Sequence, residues 1–301
     1  MSIRQITIIG TGLIGGSLGL AFRKNGFRGQ IIGCDRAVVL SRAKRIGAIH
    51  QGIDDPVEAS QGSDAVVLAT PVGGIIELIE RLAPHLSPDT LLTDVGSTKA
   101  GIVARAKAVF GKDAARRFLA GHPMAGKENS GVRHADAELF RGAVWFVTPL
   151  PGQKFTQGNA AEYLALLKKT GAEIARLDAT DHDQLCAWIS HVPQMISTAL
   201  AATLVEEYGQ RAPLLESGGR ALREMTRTAA SPYSMWRDIA ITNKRAIADA
   251  LLKLEQRLAH IRQNLDTREL EQEFARAHKL KSHSPQRRRG TEKNRKVKKR
   301  L

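Results

Sequence analysis

A short glycine-rich segment near the start of the chain constrains the fold more than any other feature of the sequence. Gly10-Thr11-Gly12-Leu13-Ile14-Gly15 follows an apolar run that predicts a β-strand and precedes a run that predicts a helix. In such a turn Gly10 allows the tight bend, Gly12 lets the backbone approach a pyrophosphate, and Gly15 lets helix and strand pack closely. Free N–H groups at the start of the helix then bind the phosphates. The residues of this segment predicted to contact a dinucleotide are Gly10, Gly12, Leu13, Ile14 and Gly15.

A carboxylate at the end of the next strand strengthens this prediction and bears on which dinucleotide binds. Asp35 follows the predicted strand 30–34, twenty residues after Gly15, where its oxygens would accept hydrogen bonds from the ribose hydroxyls. Its charge would repel the 2′-phosphate of NADP, so NAD is the favoured cofactor. Arg36 keeps NADP open and belongs to the predicted cofactor site, because a guanidinium pairs well with a phosphate.

Short apolar runs and helical patterns alternate through the first half of the chain, which is typical of βα units and a parallel sheet. The predicted strands are 3–9, 30–34, 65–69, 91–94, 118–120, 143–147 and 173–177. The predicted helices are 13–25, 38–46, 75–82, one that ends at residue 108, and 160–170. We therefore predict an α/β fold whose N-terminal part, residues 1–178, is a doubly wound Rossmann domain.

Apolar residues after this point recur at intervals of three and four, which predicts helices. The pattern over 185–203 predicts one long helix in which Pro193 is a point of bending. A second pattern over 247–265 forms an apolar seam suited to helix pairing, within one chain or between two. We predict an all-helical second domain over 179–278, and the length of the seam favours a homodimer.

The C-terminal end carries most of the net charge of +15. Asp266 and Glu269 resemble a capping box that opens a final short helix through Phe274. Residues 279–301 contain eleven lysines and arginines against one acidic residue, without aromatic residues or apolar periodicity. This composition predicts a disordered basic tail that binds nucleic acid weakly at most.

Composition bounds the remaining possibilities. A chain of 301 residues that is 43% hydrophobic and 25% charged is ordinary for a globular protein of about two domains. Two cysteines, Cys34 and Cys186, make neither a disulfide framework nor a four-cysteine zinc site, and no metal is predicted. The longest uncharged run, 5–22, is broken by glycines and does not resemble a membrane span. We expect a cytoplasmic protein without a membrane partner.

Three predicted strands end in loops that contain glycine or proline, and the carboxyl ends of parallel strands share one edge of a sheet. At this edge Thr70 and Pro71 are expected to contact the cofactor. His122 is the best candidate for a general base, because imidazole titrates near neutrality and its neighbours predict an exposed turn. Ser97 would hold a substrate hydroxyl or the imidazole. Spacing alone leaves a purely structural histidine open.

Several motifs together resemble those of the prephenate/arogenate dehydrogenase family. They follow one another in family order from Gly10 to about Asn243 and so cover both predicted domains. The motifs are Gly12-Leu13-Ile14-Gly15-Gly16-Ser17, Ala69-Thr70-Pro71-Val72, Asp94-Val95-Gly96-Ser97-Thr98-Lys99, Gly121-His122-Pro123-Met124-Ala125-Gly126, Ile189-Ser190-His191-Val192-Pro193 and Gly218-Gly219-Arg220 through Arg223 to Met235-Trp236-Arg237-Asp238-Ile239.

This resemblance implies NAD-dependent oxidative decarboxylation of prephenate to 4-hydroxyphenylpyruvate, or of arogenate to tyrosine, in tyrosine biosynthesis. It implies that His122 accepts the proton of the ring alcohol and that Ser97 aligns the hydroxyl and the imidazole. It places Arg223 on a substrate carboxylate, and His191 and Trp236 beside the substrate. The choice between prephenate and arogenate stays open.

Two other functions remain as alternatives. The first is a β-hydroxyacid or 6-phosphogluconate-type dehydrogenase, which relies on a catalytic lysine in a helix; the stretch after Asp183 offers His191 and no lysine. The second is a non-catalytic dinucleotide sensor that binds nucleic acid through the basic tail. It predicts that removal of the tail abolishes function, whereas the enzyme interpretation predicts nearly unchanged turnover.

Overall fold

The computed structural model describes residues 3–127, 129–209, 211 and 217–283, with the backbone alone for 281–283. The chain divides into two compact units, residues 1–248 and 249–301. Every sequence-predicted site residue belongs to the first unit.

The first unit is built on one eight-stranded sheet with the order β3-β2-β1-β4-β5-β6-β7-β8. The strands are β1 Gln5–Ile9, β2 Gln30–Cys34, β3 Gln51–Ile53, β4 Ala65–Leu68, β5 Leu91–Asp94, β6 Phe118–Pro123, β7 Val144–Thr148 and β8 Glu173–Arg176. Ile9 lies opposite both Cys34 and Leu68, so the carboxyl ends of the central strands are level. The loops that follow these strands therefore meet at one edge.

Two strands depart from the predicted parallel sheet, because β7 runs antiparallel to β6 and β8 runs parallel to β7. A parallel connection needs a crossover segment, usually a helix, to carry the chain back to the opposite edge. Between β6 and β7 the described residues form only a 3-10 turn at Val132–His134. The chain therefore re-enters the sheet from the edge that it has just left.

Helices cover both faces of the sheet. They are α1 Leu13–Lys24, α2 Ala37–Arg45, α3 Pro56–Ser60, α4 Val72–Leu82, α5 Ala100–Phe110, α6 Ala114–Arg117 and α7 Gly158–Lys169. Successive strand residues point to opposite faces, so Ile8 and Val67 join one apolar core while Ile9 and Val66 join the other. Two buried cores confirm the doubly wound arrangement.

Strand β3 and helix α3 were not predicted from the sequence. Gln51–Ile53 is a three-residue strand whose residues are exposed or half-buried, so it leaves no apolar run to detect. Helix α3 has only five residues, but it begins with a readable signal. The Asp55 carboxylate accepts hydrogen bonds from the N–H groups of Val57 and Glu58, and Pro56 occupies the first turn.

The helices that follow the sheet correct one prediction. The single long helix predicted over 185–203 is instead α8 Ala179–Cys186, a π-helical segment Ala187–His191 and α9 Val192–Tyr208. Pro193 has no N–H to donate to the preceding turn, so it stands in the first turn of α9 after the wider π-helical turn. Two further helices, α10 Arg220–Thr226 and α11 Tyr233–Thr242, complete this part of the unit.

Helix α12, Lys244–Gln263, runs into the second unit and carries most of the predicted apolar seam. Helix α13 is longer than predicted, Arg268–His283, and Thr267 rather than Asp266 caps it, because Thr267 Oγ1 accepts a hydrogen bond from the N–H of Glu269. Its last five residues, 279–283, lie in the predicted disordered tail, where two lysines and a leucine favour helix. The remainder, 284–301, lies outside the described residues. In the part of the chain that is described, no helix is long and apolar enough to cross a membrane.

Candidate active site

The glycine turn between β1 and α1 has the geometry that a bound pyrophosphate requires. Gly10 adopts a φ of +92°, and a Cβ there would lie 2.5 Å from the carbonyl oxygen of Ala69. A Cβ on Gly15 would lie 2.0 Å from the carbonyl oxygen of Gly10, so helix and turn touch at this point. Gly12, where α1 begins, has open space in the direction of a Cβ. The turn therefore fits a phosphate group against its backbone.

Asp35 lies at the carboxyl end of β2 and faces this turn. Its Oδ2 accepts a hydrogen bond of 2.9 Å from the N–H of Thr11, and its Oδ1 accepts one of 2.8 Å from the N–H of Arg36. Oδ2 also accepts a longer hydrogen bond of 3.4 Å from the Thr11 hydroxyl, whereas Oδ1 keeps a lone pair for a ribose hydroxyl. The Arg36 side chain is exposed. Thr70 and Pro71 follow β4 at the same edge, immediately before α4.

His122 lies in β6 and is only 7% exposed, so the prediction that it occupies an exposed turn is wrong. The reason is that β6 continues to Pro123 and pairs with β7, which places Phe146 opposite His122. The Nδ1 atom of His122 lies 2.9 Å from Nε2 of His182 in α8. His182 was not predicted from the sequence to be a site residue.

Asp183, also not identified from the sequence, connects α8 to the start of α5. Its Oδ1 accepts hydrogen bonds from the N–H of Lys99 at 2.6 Å and from Nδ1 of His182 at 2.9 Å. Its Oδ2 accepts one from the N–H of Ala100 at 2.9 Å. A continuous hydrogen-bonded chain thus runs from Asp183 through His182 to His122. Adjacent His182 and Asp183 at the start of a helix are the only local signal, and such a pair is common.

Burial is the main cause of the charge state of His122. It removes an imidazolium from water and holds the pKa of His122 well below the usual value of 6.5, and the nearby charges of His182, Lys99 and His191 lower it further. A neutral imidazole with a lone pair is the form that a general base needs.

Lys99 lies beneath the site rather than in it. Its ammonium is fully buried and donates to the Asp94 carboxylate and to the carbonyl oxygen of Gly121. Burial lowers the pKa of Lys99 and raises that of Asp94, and the attraction between the two groups opposes both shifts. This pair joins β5 to β6 directly before His122. Ser97, in the same loop, is half-buried and makes no hydrogen bond with the described residues.

Two of the predicted substrate-binding residues present buried polar atoms without a partner among the described residues. They are Nε2 of His191 and Nε1 of Trp236, whose rings lie 6.0 Å apart. Asn243 Nδ2 lies 3.2 Å from His191 Nδ1 and therefore donates to it. Burial lowers the pKa of His191 to about 4, so the ring is neutral and its single proton is on Nε2. Both unpartnered atoms are N–H donors.

Arg223 is the predicted residue that the structure does not bring to the others. It lies in α10, is exposed, and donates from Nη1 to the carbonyl oxygen of Gly218 at 2.9 Å. Its Nε and Nη2 atoms make no hydrogen bond with the described residues. These two N–H groups of the guanidinium are therefore available to bind a carboxylate.

His122, His182 and Cys186 place three potential metal-binding atoms within 4.8 Å of one another. The two imidazole nitrogens lie at a hydrogen-bond distance, and Cys186 Sγ lies 3.4 Å from His182 Nε2. Burial raises the pKa of the Cys186 thiol to about 12, so it is protonated rather than a thiolate. We interpret the group as hydrogen-bonded rather than metal-binding.

Comparisons with known proteins agree with these features over most of the chain. Residues 18–176 match the family described as "Prephenate dehydrogenase, nucleotide-binding domain", and residues 178–280 match "Prephenate dehydrogenase, dimerization domain". The prephenate dehydrogenase of Lactococcus lactis subsp. cremoris is 34% identical over 266 residues, which are 86% of this chain and 70% of that protein.

Solved structures are similar as well. Prephenate dehydrogenase from A. aeolicus, in complex with hydroxyphenyl propionate and NAD+, has a TM-score of 0.81 and 30% identity, with 94% of this chain and 97% of that one covered. Synechocystis arogenate dehydrogenase has a TM-score of 0.71 and 29% identity, with 92% and 96% covered.

Proposed function

This chain belongs to the prephenate dehydrogenase family, and from that premise we propose the roles of its individual residues. The protein is an NAD-dependent oxidoreductase that oxidatively decarboxylates prephenate or arogenate. The residue roles are supported chiefly by one observation: a buried imidazole, kept neutral, lies at the sheet edge where the glycine turn opens.

The cofactor is held by backbone and one carboxylate. Gly10, Gly12 and Gly15 bring the turn close to the pyrophosphate, with Leu13 and Ile14 opening the helix that follows. Asp35 accepts hydrogen bonds from the ribose hydroxyls, and Thr70 and Pro71 border the same edge. When bound, NAD supplies the acceptor for the substrate hydride.

His122 acts on the proton of the ring alcohol. Its Nε2 lone pair takes the hydroxyl proton while the carbon that bears the hydroxyl loses a hydride, and Ser97 directs the hydroxyl toward the imidazole. The opposite ring carbon then loses its carboxylate as carbon dioxide, and the electron pair aromatises the ring. The new phenolate oxygen takes the proton back from His122, so charge and protons balance over one turnover.

N–H groups in the helices that follow the sheet donate hydrogen bonds to the anionic groups and carbonyl oxygens of the substrate. His191 Nε2–H and Trp236 Nε1–H are buried and without an acceptor among the described residues, which favours a ligand oxygen as their partner. The Arg223 guanidinium binds a substrate carboxylate, since its fork matches that planar group.

We also propose the domain limits 1–178, 179–278 and 279–301, and a homodimer formed through the helical part. Exposed apolar side chains on its helices support a protein partner, among them Trp188, Ile189, Val205 and Ile241. Sedimentation equilibrium would show twice the mass of the chain; a monomer at assay concentrations contradicts this assembly.

The free thiols of Cys34 and Cys186 fit a reducing compartment, and we place the protein in the cytoplasm.

The experiment that tests the function combines prephenate and arogenate each with NAD and NADP, and follows the absorbance of the reduced nicotinamide. We expect reduction with NAD and at least one of the two substrates, together with release of carbon dioxide. Absence of turnover with all four combinations would contradict the assigned reaction.

A further inference from the structure

Each hydrogen bond in the chain from Asp183 through His182 to His122 has a donor and an acceptor that can be assigned. The assignment starts at Asp183. Lys99 and Ala100 each give this carboxylate a backbone N–H, one to Oδ1 and one to Oδ2. A peptide N–H can only donate, so both oxygens are acceptors. His182 Nδ1 lies 2.9 Å from Oδ1 and must therefore carry a proton.

The direction continues into the two imidazoles. A neutral imidazole has a single proton, on one of its two ring nitrogens. With that proton on Nδ1, Nε2 of His182 has only a lone pair. His122 Nδ1, at 2.9 Å from it, must then be the donor. The Nε2 atom of His122, on the other side of the ring, is left without a proton.

We propose that His182 and Asp183 are positioning residues, which fix the proton of His122 on Nδ1 and so keep Nε2 available to take the proton of the substrate. This inference rests on the proposed role of His122 as the base. Neither residue touches the substrate in this arrangement. They select one of the two neutral forms of a ring that would otherwise be free to adopt either.

The same chain stabilises the charge that forms during turnover. When Nε2 takes the substrate proton, the ring becomes an imidazolium that still donates from Nδ1 to His182, and the Asp183 carboxylate lies one imidazole further on. The groups around His122 that carry or can carry charge are His182, Cys186, Lys99 and His191, with Asp183 behind them. Asp183 is the acidic member of this group, so it is the counter-charge for the imidazolium.

Two substitutions of His182 distinguish a role in positioning the proton of His122 from a role in packing alone. The carboxamide of His182→Gln reaches the position of the imidazole Nε2 and keeps an acceptor for His122, whereas that of His182→Asn ends near Nδ1 and does not. We expect His182→Asn to lower kcat by about 10²-fold with KM values within about twofold, since only the reactive form of the base is lost. His182→Gln should keep kcat within about fivefold of the wild type. Equal activity of the two variants would overturn the proposal.

Nitrogen-15 NMR tests the direction of the chain itself, because on histidine-labelled full-length protein at pH 8 it reports which nitrogen of each ring is protonated. We expect an Nδ1 proton on His122 in the wild type, and His122→Asn identifies the resonance. Asp183→Asn removes the negative charge at the far end of the chain, and its NH₂ group meets a backbone N–H of Lys99 or Ala100 whichever way the amide is turned. We expect a loss of kcat of about 10³-fold in Asp183→Asn. An Nε2 proton in the wild type would overturn the proposal, and the His182 pair remains decisive where Asp183→Asn does not fold.

A matched control is available in another part of the sheet. His50 Nδ1 accepts a hydrogen bond of 2.9 Å from the N–H of Ile31, far along the chain from the site, and His50→Asn should leave kcat unchanged. Two failures are distinguishable. An active His122→Asn would contradict the proposed base, whereas an inactive His122→Asn with a fully active His182→Asn would contradict only the positioning role.

Discussion

The cofactor turn and the imidazole chain lie at the same sheet edge but are built in opposite ways. The turn consists of six consecutive residues, with one carboxylate twenty positions later, and the groups that we propose bind the cofactor there are mostly backbone N–H groups. The imidazole chain joins the His122 side chain in β6 to the side chains of His182 and Asp183 in α8, about 60 residues further along the sequence, and backbone N–H groups at the start of α5 hold Asp183. A backbone site depends on local conformation, whereas a side-chain site depends on the tertiary structure. Substitutions should therefore affect the two regions independently.

The largest expected effect comes from His122→Asn. Loss of the base should lower kcat by about 10²- to 10⁴-fold, the usual contribution of general-base catalysis. The glycine turn is on another strand, so KM for NAD should change by less than about twofold. Steady-state assays with prephenate measure both values. A large rise in KM for NAD would show that the two regions are coupled.

Arg223→Ala should weaken substrate binding and should affect neither the cofactor turn nor the imidazole chain. We expect KM for prephenate to rise by roughly 10- to 100-fold, the equivalent of a charge-assisted hydrogen bond. Arg220→Ala, in the same exposed helix, removes an arginine that pairs with Glu224 and is the matched control. Equal KM values for both variants would contradict the carboxylate role of Arg223.

Asp35→Ser should change the cofactor turn and spare the imidazole chain. Removal of the carboxylate relieves the repulsion of a 2′-phosphate, so the preference for NAD over NADP should fall by about tenfold, with kcat for saturating NAD nearly unchanged. The measurement is kcat/KM for each cofactor. An unchanged ratio would mean that Arg36 or another group determines cofactor choice.

The pH dependence of kcat/KM should report the imidazole chain. A base with a lowered pKa remains neutral at lower pH, so the acid limb of the profile should lie below the ordinary histidine value of 6.5. If kcat/KM falls on acidification while the pH is still above 6.5, that result would contradict a buried, neutral His122.

The smallest effect is expected from truncation after His283. This change removes residues 284–301, which are remote in sequence from both regions, and turnover should remain within about twofold of the full chain. Loss of activity with retained NAD binding would instead favour a function that depends on the basic tail.

The sequence predicted the α/β class, the glycine turn and most strand positions because these depend on local patterns of glycine and apolar residues. Strand β2, Gln30–Cys34, and strand β5, Leu91–Asp94, have the predicted bounds. His122 stood out because its type and its loop suggested chemistry. Nothing near His182 or Asp183 in the sequence reveals that tertiary packing brings them to it. The reversed direction of β7 and β8 was missed because strand direction depends on the connection and not on the strand's own residues.

The unpartnered N–H groups of His191 and Trp236 have a consequence for the choice of ligand. Leaving a buried donor without an acceptor costs about 1–3 kcal/mol, so a ligand that offers an oxygen to either group avoids this cost and a ligand without one does not. The two N–H groups thus discriminate between ligands by the placement of their acceptor oxygens.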